Sequence, residues 1–375
     1  MSTPATPDAG TVDAAGGDVA IVGGGIVALA VAAALSARGV ATVVVAHRQP
    51  GEASRAAAGM LAPGVERAAG AAHDFAIAAR DLYPSYVEAL AEITGIQVPL
   101  NRDGILELVA DERVADERRA ELPLPSGAHW LDARALRDLE PNLAPMAGAV
   151  FHPLDGAVDN VVLVRALRAL AESSTTITIV DERAAGVELD GGRPAVRLAS
   201  GRRVAAGTVV LAGGAWTPLL EGLPRPLPVS PVRGQMIAVA ASPIRHVTYG
   251  VRGYLVPRAP GTSVVGSTME HVGFDVGTTP DGVRSITGIA GAIAPSLAEV
   301  PPLDRWSGLR PCTPDFLPII GRDPDNPALV YATGHSRNGI LLGPLTGECV
   351  ARLVTGETVP HDLSPFAVER FAPPS

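Results

Sequence analysis

Gly23, Gly25 and Ala28, the first, third and sixth residues of GGGIVA, are of the types that can hold a pyrophosphate. The first glycine permits a tight turn, and the second lets backbone approach phosphates at a helix N-terminus. A small third residue lets that helix pack on its strand. So short a pattern carries weight only between a strand and a helix. Residues 18–22 form a short apolar strand, and the apolar run from Ile26 to Ala37 reads as a buried helix, so a dinucleotide is the expected ligand. A second stretch, EASRAAAGMLAP (52–63), brings small residues up to Ala58, Gly59 and Met60, where backbone could lie against a flat, wide ligand. Arg310 in GLRP is a candidate for gripping a carboxylate. A guanidinium is planar, permanently charged and bidentate, and Pro311 gives Arg310 a rigid approach.

One expected partner is missing. In such units an acidic residue ending the second strand bonds the adenosine ribose. Counting from the glycines puts that position at Ala46, followed by His47 and Arg48. Either His47 or a backbone group meets the ribose hydroxyls, or the affinity for cofactor is reduced. Arg48 offers an alternative as a 2′-phosphate ligand favouring NADP, against which the motifs further along the chain argue.

These residues need elements to position them. After the first strand and helix, VATVVVA (40–46) is a second buried strand, and strand, glycine turn, helix, strand opens a parallel sheet. Helices are expected at about 72–94, 111–121 and 158–173, and strands at 104–110, 176–180, 186–190, 195–200 and 208–216. Alternation in GQMIAVAA, GYLVPRA and TSVVGSTM, between residues 232 and 268, suggests an antiparallel sheet. Residues 328–354 read as strand, glycine-rich loop and helix. The fold class expected is α/β: a Rossmann-like cofactor domain (18–89, 149–225 and 306–371) with an inserted mixed antiparallel-sheet domain (90–148 and 226–305).

Composition narrows the classes. At roughly 150 residues per domain, 375 residues suggest two domains, and 47% hydrophobic against 18% charged residues supports a large core. A net charge of −9 without a basic run argues against nucleic acid. Cys312 and Cys349 give neither a disulfide framework nor a metal site, which suits a reducing cytoplasm. Residues 1–17 lack the regions of a signal peptide and read as a disordered lead. Arg38 and Gly39 close the longest apolar run short of the ~20 residues a bilayer needs.

Taken together, SRAAAGMLAP, GYLVPR followed by VVGSTM, WSGLRPCTPDFLPIIGR and GHSRNGILLGPLTG give the chain from Asp18 to about Phe371 a resemblance to the D-amino-acid-oxidase superfamily. Within it, the chain most resembles the glycine oxidases of thiamine biosynthesis. The resemblance implies FAD contacts at Ile26, Val27, Ala46, His47, Ser54, Arg55, Ala58, Gly59, Met60 and Ala184. It adds His335, Ser336, Arg337, Asn338, Gly339, Ile340 and Leu341. It implies that Arg310 binds the substrate carboxylate, Tyr254 bonds substrate, Met269 lines a small pocket and Arg337 lies beside substrate and flavin. Ser336 departs from the aromatic that relatives often carry, which bears on substrate size. Aligned on TPD, Cys312 lies several residues from the cysteine that holds FAD covalently in some related amine oxidases, so non-covalent FAD is expected.

The implied reaction is oxidative deamination of glycine, with sarcosine and small D-amino acids as secondary substrates and O2 as acceptor. The cofactor performs the hard step, so neither a nucleophile nor a metal is required. Arginine cannot act as base, which leaves a water to take the amine proton; His335 reads as a loop residue beside the flavin. The resemblance further implies a homotetramer and thiazole synthase as a partner. Two alternatives stand beside this: a sarcosine or D-amino-acid dehydrogenase using another acceptor, and a non-catalytic FAD-binding subunit.

Overall fold

The computed structural model describes residues 17–66, 68–122, 127–189, 192–250 and 252–371. Residues 1–16 of the disordered lead expected at 1–17 lie outside them, and Gly17, counted in that lead, belongs to the first strand.

The first strand, Gly17–Val22, lies parallel between Thr42–Val45 and Arg203–Leu211. Ile177–Val180 follows on one side and Leu329–Thr333 on the other, both parallel. All four residues of Thr42–Val45 and all five of Leu329–Thr333 are buried, so these strands show no alternation in sequence. The winding reverses between the first strand and Arg203–Leu211. That reversal opens a crevice at the carboxyl ends, where α/β sheets bind ligands. Antiparallel strands Ala184–Glu188, Ala195–Leu198 and Ile319–Arg322 extend the sheet.

Helices Ile26–Ser36, Gly70–Thr94, Asn160–Ser173 and Gly339–Thr355 share one core with this sheet. The first and last press together where Gly347 meets Ala30. A β-carbon on Gly347 would lie 2.6 Å from the Ala30 carbonyl carbon, so glycine sets the approach. Among the described residues no helix is long and apolar enough to cross a membrane.

The second sheet has eight strands in the order Pro302–Cys312, Ser230–Val239, Thr262–Gly266, Gly253–Arg258, Val247–Gly250, Ile105–Val109, Gly148–His152, His129–Asp132. Every step is antiparallel except the one joining Val247–Gly250 to Ile105–Val109, so the sheet is mixed. Helix Pro280–Ile293 covers one face. Ala58, Ala62 and Val65 pack on Met236, Val247 and Val256 of the other.

Two differences from the sequence reading concern the site. TVVLAGGAW is a strand only to Leu211; Gly214–Leu219 is a 3-10 helix, because the glycine pair turns the chain. Pro302–Cys312, unrecognised as a strand, is the edge of the second sheet, where Pro311 sacrifices no ladder bond. This strand runs across position 306, and Gly148–His152 runs across position 149. Two of the four expected domain limits, 148/149 and 305/306, therefore fall inside strands of the second sheet, whose pairing local sequence does not reveal.

Candidate active site

One cavity of about 640 Å³ runs from the crevice of the parallel sheet to the face of the second sheet. At its first end Gly23 has φ 128°, and a β-carbon there would lie 2.7 Å from the Ala212 carbonyl carbon across the reversal point. A β-carbon on Gly24 would lie 2.8 Å from that of Ala46. Gly25 is extended, and its β position faces Ser54 Oγ at 3.0 Å. That hydroxyl accepts a bond from the Ile26 N–H at 3.0 Å. The helix start is thus capped from across the chain rather than by its neighbouring residue.

Ile26, Val27, His47, Ser54, Ala58, Gly59, Met60 and Ala184 line the cavity, whereas the side chains at Ala46, Arg55 and Leu341 do not. Ala46 and Leu341 are buried in the core. Arg55 is exposed, 3.9 Å from Glu52, because the short helix Ala53–Ala56 turns it outward. A carboxylate stands beside His47: its Nδ1 lies 3.1 Å from Asp181 Oδ1, just past Ile177–Val180. Local sequence could not show this, since the two residues are 134 apart.

At the other end Arg310, Tyr254, Met269 and Arg337 line the same cavity. Arg310 Nη2 donates to Ser267 Oγ at 2.7 Å, and Nη1 to the Thr268 carbonyl at 3.3 Å. Its guanidinium lies flat against the neighbouring strand at Gly234, where a β-carbon would overlap it. Tyr254 donates its hydroxyl to Met236 Sδ at 3.2 Å. Met269 sits at the mouth, 51% exposed, on a segment held by buried Arg233, which pairs with Glu270 and, at 2.7 Å, with Asp275. Arg337 is tied to Glu66 at 2.5 Å. Burial disfavours its charge, but the Glu66 carboxylate and Tyr249 outweigh that and hold the guanidinium above its ordinary range.

Sequence reasoning missed Gly234, Ser267, Thr268 and Glu66. Only Gly234 left a signal: a glycine inside an alternating strand marks a close approach.

Between the two ends lies the turn 335–340. Ser336 adopts φ 49°, and its N–H donates to the Pro311 carbonyl at 2.9 Å. His335 is buried, with Nε2 3.0 Å from Thr346 Oγ1, and burial pushes its imidazole down to about 3. It is neutral at pH 7 and too weakly basic for general-base work there. Burial raises the Cys312 thiol, which stays protonated. Asn338, Gly339 and Ile340 line the cavity at the start of Gly339–Thr355, so a second helix N-terminus faces it.

The family model described as FAD dependent oxidoreductase matches residues 18–353. The chain belongs to this family. This FAD-dependent oxidoreductase is 36% identical to the bifunctional protein ThiO/ThiG of Synechocystis sp. over 373 residues, covering 94% of this chain but 54% of that protein. It therefore spans about half the length of that relative. Against the glycine oxidase of Geobacillus kaustophilus it is 33% identical over 372 residues, 94% of this chain and 97% of that one. The crystal structure of that organism's glycine oxidase superposes with a TM-score of 0.87, covering 95% and 99% of the two chains. The iminodiacetate oxidase of Chelativorans sp. BNC1 superposes at 0.84 with 26% identity, covering 93% and 98%.

The cavity fits the family's cofactor. It offers two helix N-termini, glycines packed too tightly for side chains, and a small-residue wall.

Proposed function

We propose that the chain is an FAD-dependent glycine oxidase. The observation that carries this is Arg310, aimed by Ser267 and Thr268 into the same cavity as the dinucleotide cradle. On this reading the residues named above at the first end and in the turn 335–340 hold FAD non-covalently. His47, positioned by Asp181, takes the place of the ribose carboxylate. FAD supplies the electron acceptor for the substrate C–H bond when bound.

The chain's own groups bind and orient. Arg310 grips the glycine carboxylate in bidentate fashion, as its planar fork suits. Tyr254 turns its hydroxyl from Met236 to the substrate carboxylate or amine. Arg337 and Met269 close the pocket around a small side chain. His335 is neutral and arginine cannot accept a proton at these pH values, so a water takes the amine proton. Glycine loses a hydride and a proton to give the imine. O2 takes up the two electrons as hydrogen peroxide, and water converts the imine to glyoxylate and ammonia.

The ThiO/ThiG names of the bifunctional relatives support a setting in which the imine passes to a thiazole synthase. We further assign the chain to a homotetramer in the cytoplasm, compatible with two buried free thiols. It has a cofactor lobe and a substrate lobe, the latter including both strands that cross the expected limits.

Peroxide release by the purified protein supplied with FAD, given glycine, sarcosine, D-alanine and D-proline in parallel, tests the reading. Glycine is expected to match or exceed the rest. Selectivity over sarcosine stays modest, because one methyl in a pocket is worth about 1–3 kcal/mol. Anaerobic flavin bleaching without peroxide in air would make it a dehydrogenase, and no bleaching with any of the four would sink the amino-acid reading.

A further inference from the structure

We propose that Arg258 is a positioning residue that locks the cofactor-facing segment 54–60 onto the sheet carrying Tyr254. The proposal rests on the reading of that segment as an FAD contact. Arg258 ends the strand Gly253–Arg258, four residues beyond Tyr254, so the two share a face of the sheet. Tyr254 lines the cavity; Arg258 does not. Its guanidinium turns away, Nη1 donating to the Val158 carbonyl at 2.8 Å and Nη2 to the Ala58 carbonyl at 2.7 Å. A third bond runs from Nη2 to Asn160 Oδ1 at 3.0 Å.

Asn160 carries the connection onward. It is buried, and its Nδ2 donates to the carbonyls of Ser54 at 2.9 Å and Arg55 at 3.3 Å. Ser54 Oγ in turn accepts from the Ile26 N–H. One guanidinium, one carboxamide and one hydroxyl therefore link the substrate sheet, the cavity wall and the start of the first helix. Gly59 is clamped from both sides. Its carbonyl accepts from the Val158 N–H at 2.8 Å, and a β-carbon on it would overlap the Val158 carbonyl.

The chemistry of the latch is unusual for mere filling. All three bonds from Arg258 end on neutral oxygens. Burial is the largest influence on the guanidinium and weakens its hold on the proton, with the Asp159 charge acting in the opposite sense. An apolar side chain of the same length would occupy the space without desolvating a cation. It would also leave the Ala58 and Val158 carbonyls without this donor and free the turn at Gly59. Donors in a fixed fork suit two carbonyls on different segments, which a single ammonium does not reproduce.

Arg258→Met, Arg258→Lys and Asn160→Ala, each stripped of cofactor, test this through the FAD dissociation constant and through the melting temperatures of apo and FAD-loaded protein. Arg258→Met is expected to weaken FAD by about tenfold or more, as losing one net hydrogen bond's worth of order would do. Arg258→Lys should fall between it and the unmutated protein. Asn160→Ala should weaken FAD while keeping the cation, and it carries the test if Arg258→Met does not fold. FAD affinities within twofold of the unmutated protein in the folded variants overturn the proposal, as does apo destabilisation with unchanged affinity. If the unmutated protein itself takes up no FAD, the cofactor reading fails first and this proposal with it.

Discussion

At one end of the cavity the wall is backbone: Gly23, Gly24 and Gly25, then Ile26 and Val27, contiguous in the chain and packed against Ala212 and Ala46 with no room for β-carbons at the first two. At the other end it is side chain. Tyr254, Ser267 and Arg310 come from separate parts of the second sheet, and Gly234 on a further strand makes space for the guanidinium. On the proposed reading the first end takes a group that carries phosphates, because N–H groups and a helix dipole read charge and little else. On the same reading the second discriminates, because a guanidinium aimed by two partners suits a carboxylate in one orientation. Glycine serves both ends for different reasons: at Gly23 to let two strands touch, at Gly234 to let a side chain lie flat.

Breaking the first end should have the largest effect. Gly23→Ala places a β-carbon against the Ala212 carbonyl at a φ of 128°, which L-residues rarely adopt. We expect purified protein without bound FAD, or no folded protein at all. Gly25→Ala, whose β-carbon meets only Ser54 Oγ at 3.0 Å, should keep measurable FAD binding. Equal FAD occupancy in both variants would show that the two glycines are not distinguished by packing.

Breaking the second end should spare the cofactor. Truncating one partner of a charge pair costs about 2–5 kcal/mol, so Arg310→Ala should lower kcat/KM for glycine by roughly 30-fold to several thousand-fold while FAD remains bound. Gly234→Ala keeps the guanidinium but pushes it off its seat. A displacement of about 1 Å can cost on the order of a hundredfold, so a loss of that order is expected. Unchanged kinetics in Arg310→Ala would remove the carboxylate anchor. A Gly234→Ala enzyme with native KM would show that the seat is not needed.

The smallest expected effect lies in the turn between the ends. Burial pushes folded His335 down to about 3, whereas an unfolded histidine titrates near 6.5. As pH falls below about 6.5, the unfolded chain takes up a proton that the folded chain refuses. Stability should therefore decline as pH falls from about 6.5 toward about 3. His335→Gln should flatten the dependence of melting temperature on pH between 6 and 4. An identical slope in the variant would assign the acid sensitivity to other groups.

Legibility in the sequence follows the same division as the two ends. The glycine run was readable because its constraints come from neighbours in the chain, and so were Asn160–Ser173, from its helical spacing, and Ile105–Val109, a short apolar run. Arg310 was readable as a candidate from its apolar setting and from family resemblance. The strand that carries it was not, because Gly308 and Pro311 mask an edge strand. Arg55 was expected beside the cofactor and instead points to solvent, since the turn of a four-residue helix decides its direction. Glu66, which ties down Arg337, lies 271 residues away and gave no local hint.

By itself the sequence determined that a helix begins at a glycine turn after a buried strand and that the core is aliphatic, and it singled out Arg310 as a candidate to bind a carboxylate. Those properties depend on residue type and on spacings of a few residues, which chain connectivity preserves. The tertiary structure alone decided that Asp181 stands beside His47. It also set Arg310 against Gly234 on Ser267 and made Arg258 reach two carbonyls of the cavity wall. Each depends on strand register and on helices crossing at close range, where moving a strand by one residue turns every side chain to the other face.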